Sequence, residues 1–127
     1  ESAEGCFAYD CWEGHAMLPE LDVTNHDVKQ HIFDVARFWL CEVGVAGWRL
    51  DVAYEVSAEF WSEFRNVCKE AKHDCWLVGE IIHENYNTIV GDGMLGSATN
   101  YQLSKAMWSS LNDLNYGELT WSMQREQ

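Results

Sequence analysis

The sequence predicts an α/β fold built on a parallel sheet, and three observations carry that reading. Helix-spaced and strand-like apolar runs alternate along the chain, no internal repeat or low-complexity tract interrupts them, and two of the strands end in a carboxylate. The 127 residues are 47% apolar and 13% aromatic, which suits one globular body. No run of about eighteen apolar residues is present to cross a membrane. With 8 Lys plus Arg against 21 Asp plus Glu, the formal charge of -13 repels nucleic acid and anionic lipid and favours neutral or cationic ligands.

The elements follow in order. Residues 1–24 hold the only proline, Pro19, and read as a loop-rich surface segment. From Asn25, the residues Val28, Ile32, Val35 and Trp39 fall at helical spacing, with Thr24 or Asn25 as N-cap and Gly44 as the stop. Val45 to Ala53 reads as a short apolar strand. Ser57 caps a second helix whose inner face is Phe60, Trp61, Phe64, Val67, Cys68 and Ala71. CWLVGEI, residues 75–81, is the next strand. An Asn- and Gly-rich loop over 85–97 leads to SATNYQL, a weaker third strand, and Leu103, Met107, Ser110 and Leu114 mark a last helix. This is the βαβ rhythm of a parallel sheet with right-handed crossovers.

GWRLDVA, residues 47–53, places two charges inside the first strand. Alternation puts Trp48, Leu50 and Val52 on one face, under the helices, and Arg49, Asp51 and Ala53 on the other. In a (β/α)8 barrel that second face looks inward and functional groups gather at the C-terminal strand ends. Glu80 ends the following strand twenty-nine positions after Asp51, about one βαβ unit. Neighbouring parallel strands lie about 5 Å apart, so the two carboxylates can approach the roughly 5 to 5.5 Å separation of a retaining glycosidase pair. Two readings stand at this point. Either Asp51 and Glu80 are nucleophile and acid/base, or Asp51 pairs structurally with Arg49 and Glu80 caps a loop.

The segments GWRLDVA, YEVSAEFWSEFR, LVGEIIHE and TNYQLSKAMWSSLN, in this order and spacing, resemble the α-amylase superfamily, glycoside hydrolase family 13. Within it the chain is most similar to the neopullulanase, cyclomaltodextrinase and maltogenic amylase group, whose Met-Pro-Lys-Leu-Asn segment is matched by MLPELD at 17–22. The resemblance implies a partial (β/α)8 TIM barrel, roughly strands four to six with helices three to six. Residues 1–24 would end the insert after barrel strand three, and 25–127 would form the central part of the catalytic barrel. It also implies that Asp51 is the nucleophile, that Arg49 keeps it ionised and oriented, and that Glu80 protonates the leaving oxygen and later deprotonates water. His83 matches a histidine of the group's GE-x-x-H segment and would line the sugar site. The implied activity is retaining hydrolysis of α-1,4-linked glucans, maltooligosaccharides or cyclodextrins. The alternatives are an α-glucanotransferase or oligo-α-glucosidase of the same superfamily, or a noncatalytic carbohydrate-binding remnant.

The chain departs from the group at Ala46, where an Asp is usual, at Asp22 in place of Asn, and at Tyr54, where Asn is favoured. Tyr54 follows the nucleophile in a region that shapes acceptor subsites, so it is a candidate substrate contact, as well as a residue that packs on its loop. Trp12 and Tyr86, with Tyr9, sit in loops suited to stacking on glucose rings, whereas Trp39, Trp48, Trp61, Trp76 and Trp108 fall on element faces and read as core. Tyr101 fits either role. Asn25-His26-Asp27 imitates the family's last motif, but it precedes the nucleophile strand and reads as a helix start.

The first motif and the third catalytic Asp do not occur in the chain, which starts at Glu1 without initiator methionine or signal peptide. It therefore reads as the middle of a longer protein, poorly stable and inactive by itself. No cofactor or metal-ligand spacing is found; calcium occurs in parts of the family. Five cysteines, Cys6, Cys11, Cys41, Cys68 and Cys75, are odd in number and scattered through apolar patterns, as reduced core thiols are. With the group's habits, they point to a cytoplasmic protein. Expected partners are an α-glucan substrate, neither nucleic acid nor membrane, and, for the full-length protein, a second copy in a homodimer.

Overall fold

The structure, a computed structural model, describes residues 9–82 and 85–125. The chain divides into two units, residues 1–35 and 36–127. In the first, an isolated bridge between Cys11 and Pro19 brackets a 3-10 turn at Trp12–Gly14. The Asp22 carboxylate accepts from the Thr24 amide at 2.9 Å and its hydroxyl at 2.6 Å, and the Asn25 side chain accepts from the Asp27 amide at 2.9 Å. Asn25 is therefore the cap of α1 (His26–Phe38). His26 and Asp27 open the helix, exposed, as their position in the chain suggested.

The second unit carries the sheet. Beyond α1 the backbone makes a π-type turn, Trp39–Val43, closed by Gly44 at φ 81, a left-handed conformation that suits glycine. There follow β1 (Gly47–Leu50), α2 (Ala58–Ala71), β2 (Trp76–Gly79), β3 (Ser97–Ala98), α3 (Tyr101–Asn112) and α4 (Tyr116–Arg125). The three strands are parallel in the order β1-β2-β3, with Gly47 opposite Trp76 and Leu50 opposite Gly79. Gly47 has no alternative: a Cβ there would lie 1.9 Å from the Trp76 carbonyl oxygen.

Ser57 caps α2 by accepting from the Phe60 amide at 3.2 Å. The helix buries Phe60, Trp61, Phe64 and Cys68, four of the six residues expected on its inner face. Trp61 meets Phe60 and Phe64 edge-on, with centroids 5.2 and 5.7 Å apart, the arrangement aromatic quadrupoles favour. Leu50, Leu77, Ile81 and Leu95 are buried as well. Each such side chain contributes about 1.5–3 kcal/mol on leaving water. Burial pushes the Cys68 thiol up to about 12 and raises that of Cys75, so both stay neutral and behave as small apolar groups. Cys41 differs from the core expectation, being exposed.

Four further differences have physical causes. The first strand stops at Leu50 rather than Ala53, because Val52 turns left-handed (φ 45, ψ 42). That turn ends the alternation: Ala53, expected on the face of Arg49 and Asp51, is fully buried, whereas those two are exposed. β3 keeps two residues of SATNYQL, since Asn100 accepts from the Leu103 amide at 2.8 Å and starts α3. α3 buries Ala106, Ser109 and Ser110 while Met107 and Leu114 are exposed, because α4, unread in the sequence, packs on that side. Ser109 donates to Glu118 at 2.6 Å and Lys105 pairs with the same carboxylate at 2.9 Å. Trp39, Trp76 and Trp108, expected in the core, are exposed, whereas Trp61 is buried. Among the described residues, no helix is long and apolar enough to cross a membrane.

Candidate active site

The C-terminal ends of β1 and β2 bring the expected carboxylates together. Leu50 and Gly79 are register partners, so the next residues, Asp51 and Glu80, leave the sheet side by side. The ladder runs on through that point: the Glu80 amide donates to the Leu50 carbonyl at 2.8 Å, and the Ala53 amide donates to the Glu80 carbonyl at 3.1 Å. The Trp61 indole N–H then donates to the Ala53 carbonyl at 2.8 Å, tying the turn after Asp51 to the core of α2. The left-handed Val52 lies between these anchors, and its amide donates to Glu80 Oε2 at 3.3 Å.

Arg49 joins the two acids. Its Nη1 bonds Asp51 Oδ1, and its Nη2 lies 2.6 Å from Glu80 Oε1. The side chains of Arg49 and Asp51 are 50% and 70% exposed, whereas that of Glu80 is 11% exposed. The pair with Asp51 is thus partly screened by water, and the guanidinium acts chiefly by geometry. It is held protonated more firmly than an ordinary arginine, first by the Asp51 bond and then by Tyr101, Glu80 and the Asp51 charge, against an opposing push from burial.

Glu80 has a third donor that sequence reasoning left open. Thr99 extends the β3 edge, its amide on the Gly79 carbonyl at 2.9 Å and its hydroxyl 3.2 Å from the Ile81 amide. Two residues later, Tyr101 begins α3 and donates its hydroxyl to Glu80 Oε1 at 2.7 Å. The Tyr101 bond is the first cause that lowers the Glu80 carboxyl below the ordinary range; the Val52 amide adds to it. Burial opposes both and is outweighed, with further help from the Asp51 carboxyl and the Arg49 charge. The signal that could have found Tyr101 is its place, just beyond the end of the third parallel strand.

The remaining described candidates fall in turns and loops. Tyr54 is half-buried in the 3-10 turn Ala53–Glu55, two residues after Val52. Tyr86 opens another such turn, Tyr86–Thr88, and is half-buried. Trp12 lies in the first unit, half-buried, its indole stacked on the His15 ring at 5.6 Å. Tyr9, exposed, donates its hydroxyl to the Ala16 carbonyl at 2.8 Å. His83 lies outside the described residues. Among the described residues, no three His, Cys, Asp or Glu side chains come together as metal ligands would.

Two carboxylates on adjacent strand ends, one buried and both bonded to one arginine, form an arrangement suited to acid/base and nucleophilic work. The chain as a whole resembles known proteins. Residues 6–125 match the family model described as the α-amylase catalytic domain. The chain is 38% identical over 107 residues to a cyclomaltodextrinase from a Bacillus species, covering 84% of this chain and 19% of that protein. It is 48% identical over 84 residues to neopullulanase 2 of Thermoactinomyces vulgaris, covering 66% and 14%. Among solved structures, the cyclic α-maltosyl-(1→6)-maltose hydrolase of Arthrobacter globiformis superposes with a TM-score of 0.83 at 28% identity, covering 98% of this chain and 28% of that one. The chain thus spans about a fifth or less of the curated relatives' length, and its three-stranded sheet is a piece of a (β/α)8 barrel.

Proposed function

The chain belongs to the α-amylase family by its match to the catalytic domain, and from that premise we propose that its parent protein is a retaining hydrolase of α-1,4-linked glucans. The observation that carries the reading is the juxtaposition of Asp51 and Glu80 at register-matched ends of β1 and β2, joined through Arg49. Maltooligosaccharides and cyclodextrins are the proposed substrates, a choice supported by the names of the similar enzymes. The three strands take the places of barrel strands four to six, with helices three to six. Residues 1–24 end the insert after strand three, and residues 25–127 are the central barrel.

In the proposed reaction Asp51 attacks the anomeric carbon as the glycosidic bond breaks, and Glu80 gives its proton to the departing oxygen. A glycosyl ester on Asp51 results. Water then attacks the same carbon, Glu80 takes the water's proton, and Asp51 leaves as carboxylate. Two inversions give net retention. Arg49 holds the Asp51 carboxylate in place through its Nη1 bond, and the proposed chemistry needs no cofactor, since carboxylates supply both nucleophile and proton. His83, Tyr54, Trp12 and Tyr86 remain proposed sugar contacts. The four described cysteines are free thiols, which supports the proposed cytoplasmic location; a homodimer of the full-length protein is compatible with the reading.

The test uses the parent enzyme. Asp51→Asn and Glu80→Gln should each lower maltooligosaccharide turnover by about a thousandfold or more, and proton NMR of the first product should show the α anomer. Near-normal turnover in Asp51→Asn, or a β product, would refute the assignment.

A further inference from the structure

Glu80 must hold a proton in one half of the proposed reaction and surrender it in the other, yet three donors already face its carboxylate. They are not evenly distributed. Oε1 receives Arg49 Nη2 at 2.6 Å and the Tyr101 hydroxyl at 2.7 Å, whereas Oε2 receives the Val52 amide at 3.3 Å. A carboxylate oxygen offers two lone pairs, so two short, charge-assisted bonds occupy Oε1, while Oε2 carries one long bond. We propose that Tyr101 is a positioning residue for proton transfer: with Arg49 it saturates Oε1 of Glu80 and so reserves Oε2 as the oxygen that gives and takes the proton.

The proposal rests on the reading of Glu80 as acid/base. A free carboxyl rotates between two equivalent oxygens; one anchored at Oε1 presents the other in a single direction, which is what proton transfer over hydrogen-bond distance requires. Tyr101 is suited to the task because it is the first residue of α3, its backbone set by the Asn100 cap and the residue 44% exposed, with its hydroxyl committed to Glu80. The groups facing Glu80 are Arg49 and Asp51 from β1 and its end, the Val52 amide from the turn, and Tyr101 from α3. Every donor favours the ionised carboxylate. Removing one therefore raises the pH at which the acid form is lost.

The experiment is Tyr101→Phe in the parent enzyme, with kcat/KM measured against pH on maltotriose and on α-maltosyl fluoride, whose leaving group needs no proton. Expected are a basic limb moved to higher pH and a plateau about tenfold lower on maltotriose, with the fluoride nearly unaffected. A merely structural role lowers both substrates alike and leaves the limb in place; that result, or no change at all, overturns the proposal. Glu80→Gln is the control: loss on maltotriose with activity kept on the fluoride supports the acid/base reading independently of Tyr101, and full activity on maltotriose sinks that reading itself. Should Tyr101→Phe lose its circular dichroism, 3,5-difluorotyrosine at position 101 keeps the ring and strengthens the donor. The limb must then move to lower pH, and an unmoved limb overturns the proposal equally.

Discussion

At Val52 the backbone takes a conformation that a β-branched side chain rarely adopts, φ 45 and ψ 42. Such strain costs about 1–3 kcal/mol and persists where neighbours over-determine it. Here the neighbours are the Glu80 side chain on the Val52 amide, the Glu80 carbonyl on the Ala53 amide and the Trp61 indole on the Ala53 carbonyl. The side chain of residue 52 thus opposes a geometry that three hydrogen bonds impose. Val52→Gly removes the opposition and should raise stability by about 1 kcal/mol, read as a higher denaturant midpoint with unchanged slope in the parent enzyme. A lower midpoint would show that the partly buried isopropyl group contributes more than its strain removes. Arg49 and Asp51 follow the same logic from the other side: their exposure makes the pair weak as glue, so its value lies in where it holds the two acids.

Among the elements, β1 and β2 leave no room for a side chain where Gly47 faces Trp76. Gly47→Ala places a methyl group inside the carbonyl of the partner strand, so the strands must part or slip. A loss of about 2 kcal/mol or more is expected, measured by chemical unfolding; a neutral result would mean that β1 pairs differently. The elements that were legible in advance are those with strong local signals. Ser57 before an aromatic helix face, Asn25 before a helix-spaced run and the carboxylates ending GWRLD and LVGE all speak within a few residues. What stayed hidden depends on contacts distant in sequence. Nothing around Val52 announces a left-handed turn, since the residues that demand it are Glu80 and Trp61. Met107 and Leu114 share the predicted face with Ser110, yet only Ser110 of the three is buried, and Glu118 of α4 engages the neighbouring Ser109. Tyr101 was readable as core or platform, and its bond to Glu80 depends on how α3 begins.

For the whole molecule, net charge and exposed apolar surface act against each other. Trp76, Trp108, Leu111, Leu114, Trp121 and Met123 are all more than half exposed, which favours association, while the charge of -13 keeps copies apart. Salt screens the second effect and strengthens the first. The 127-residue polypeptide expressed alone should therefore scatter more light as NaCl rises from about 10 mM to about 500 mM, and scattering that falls with salt would refute this balance. The sheet directs how copies would join. β1 offers one open edge among the described residues and β3 the other, both running the same way. An edge of one copy that meets the opposite edge of the next makes a head-to-tail contact with no twofold axis to close it. Strand pairing of that kind leads to filaments of indefinite length rather than to dimers, and only a strand supplied from elsewhere in a longer polypeptide would end the series.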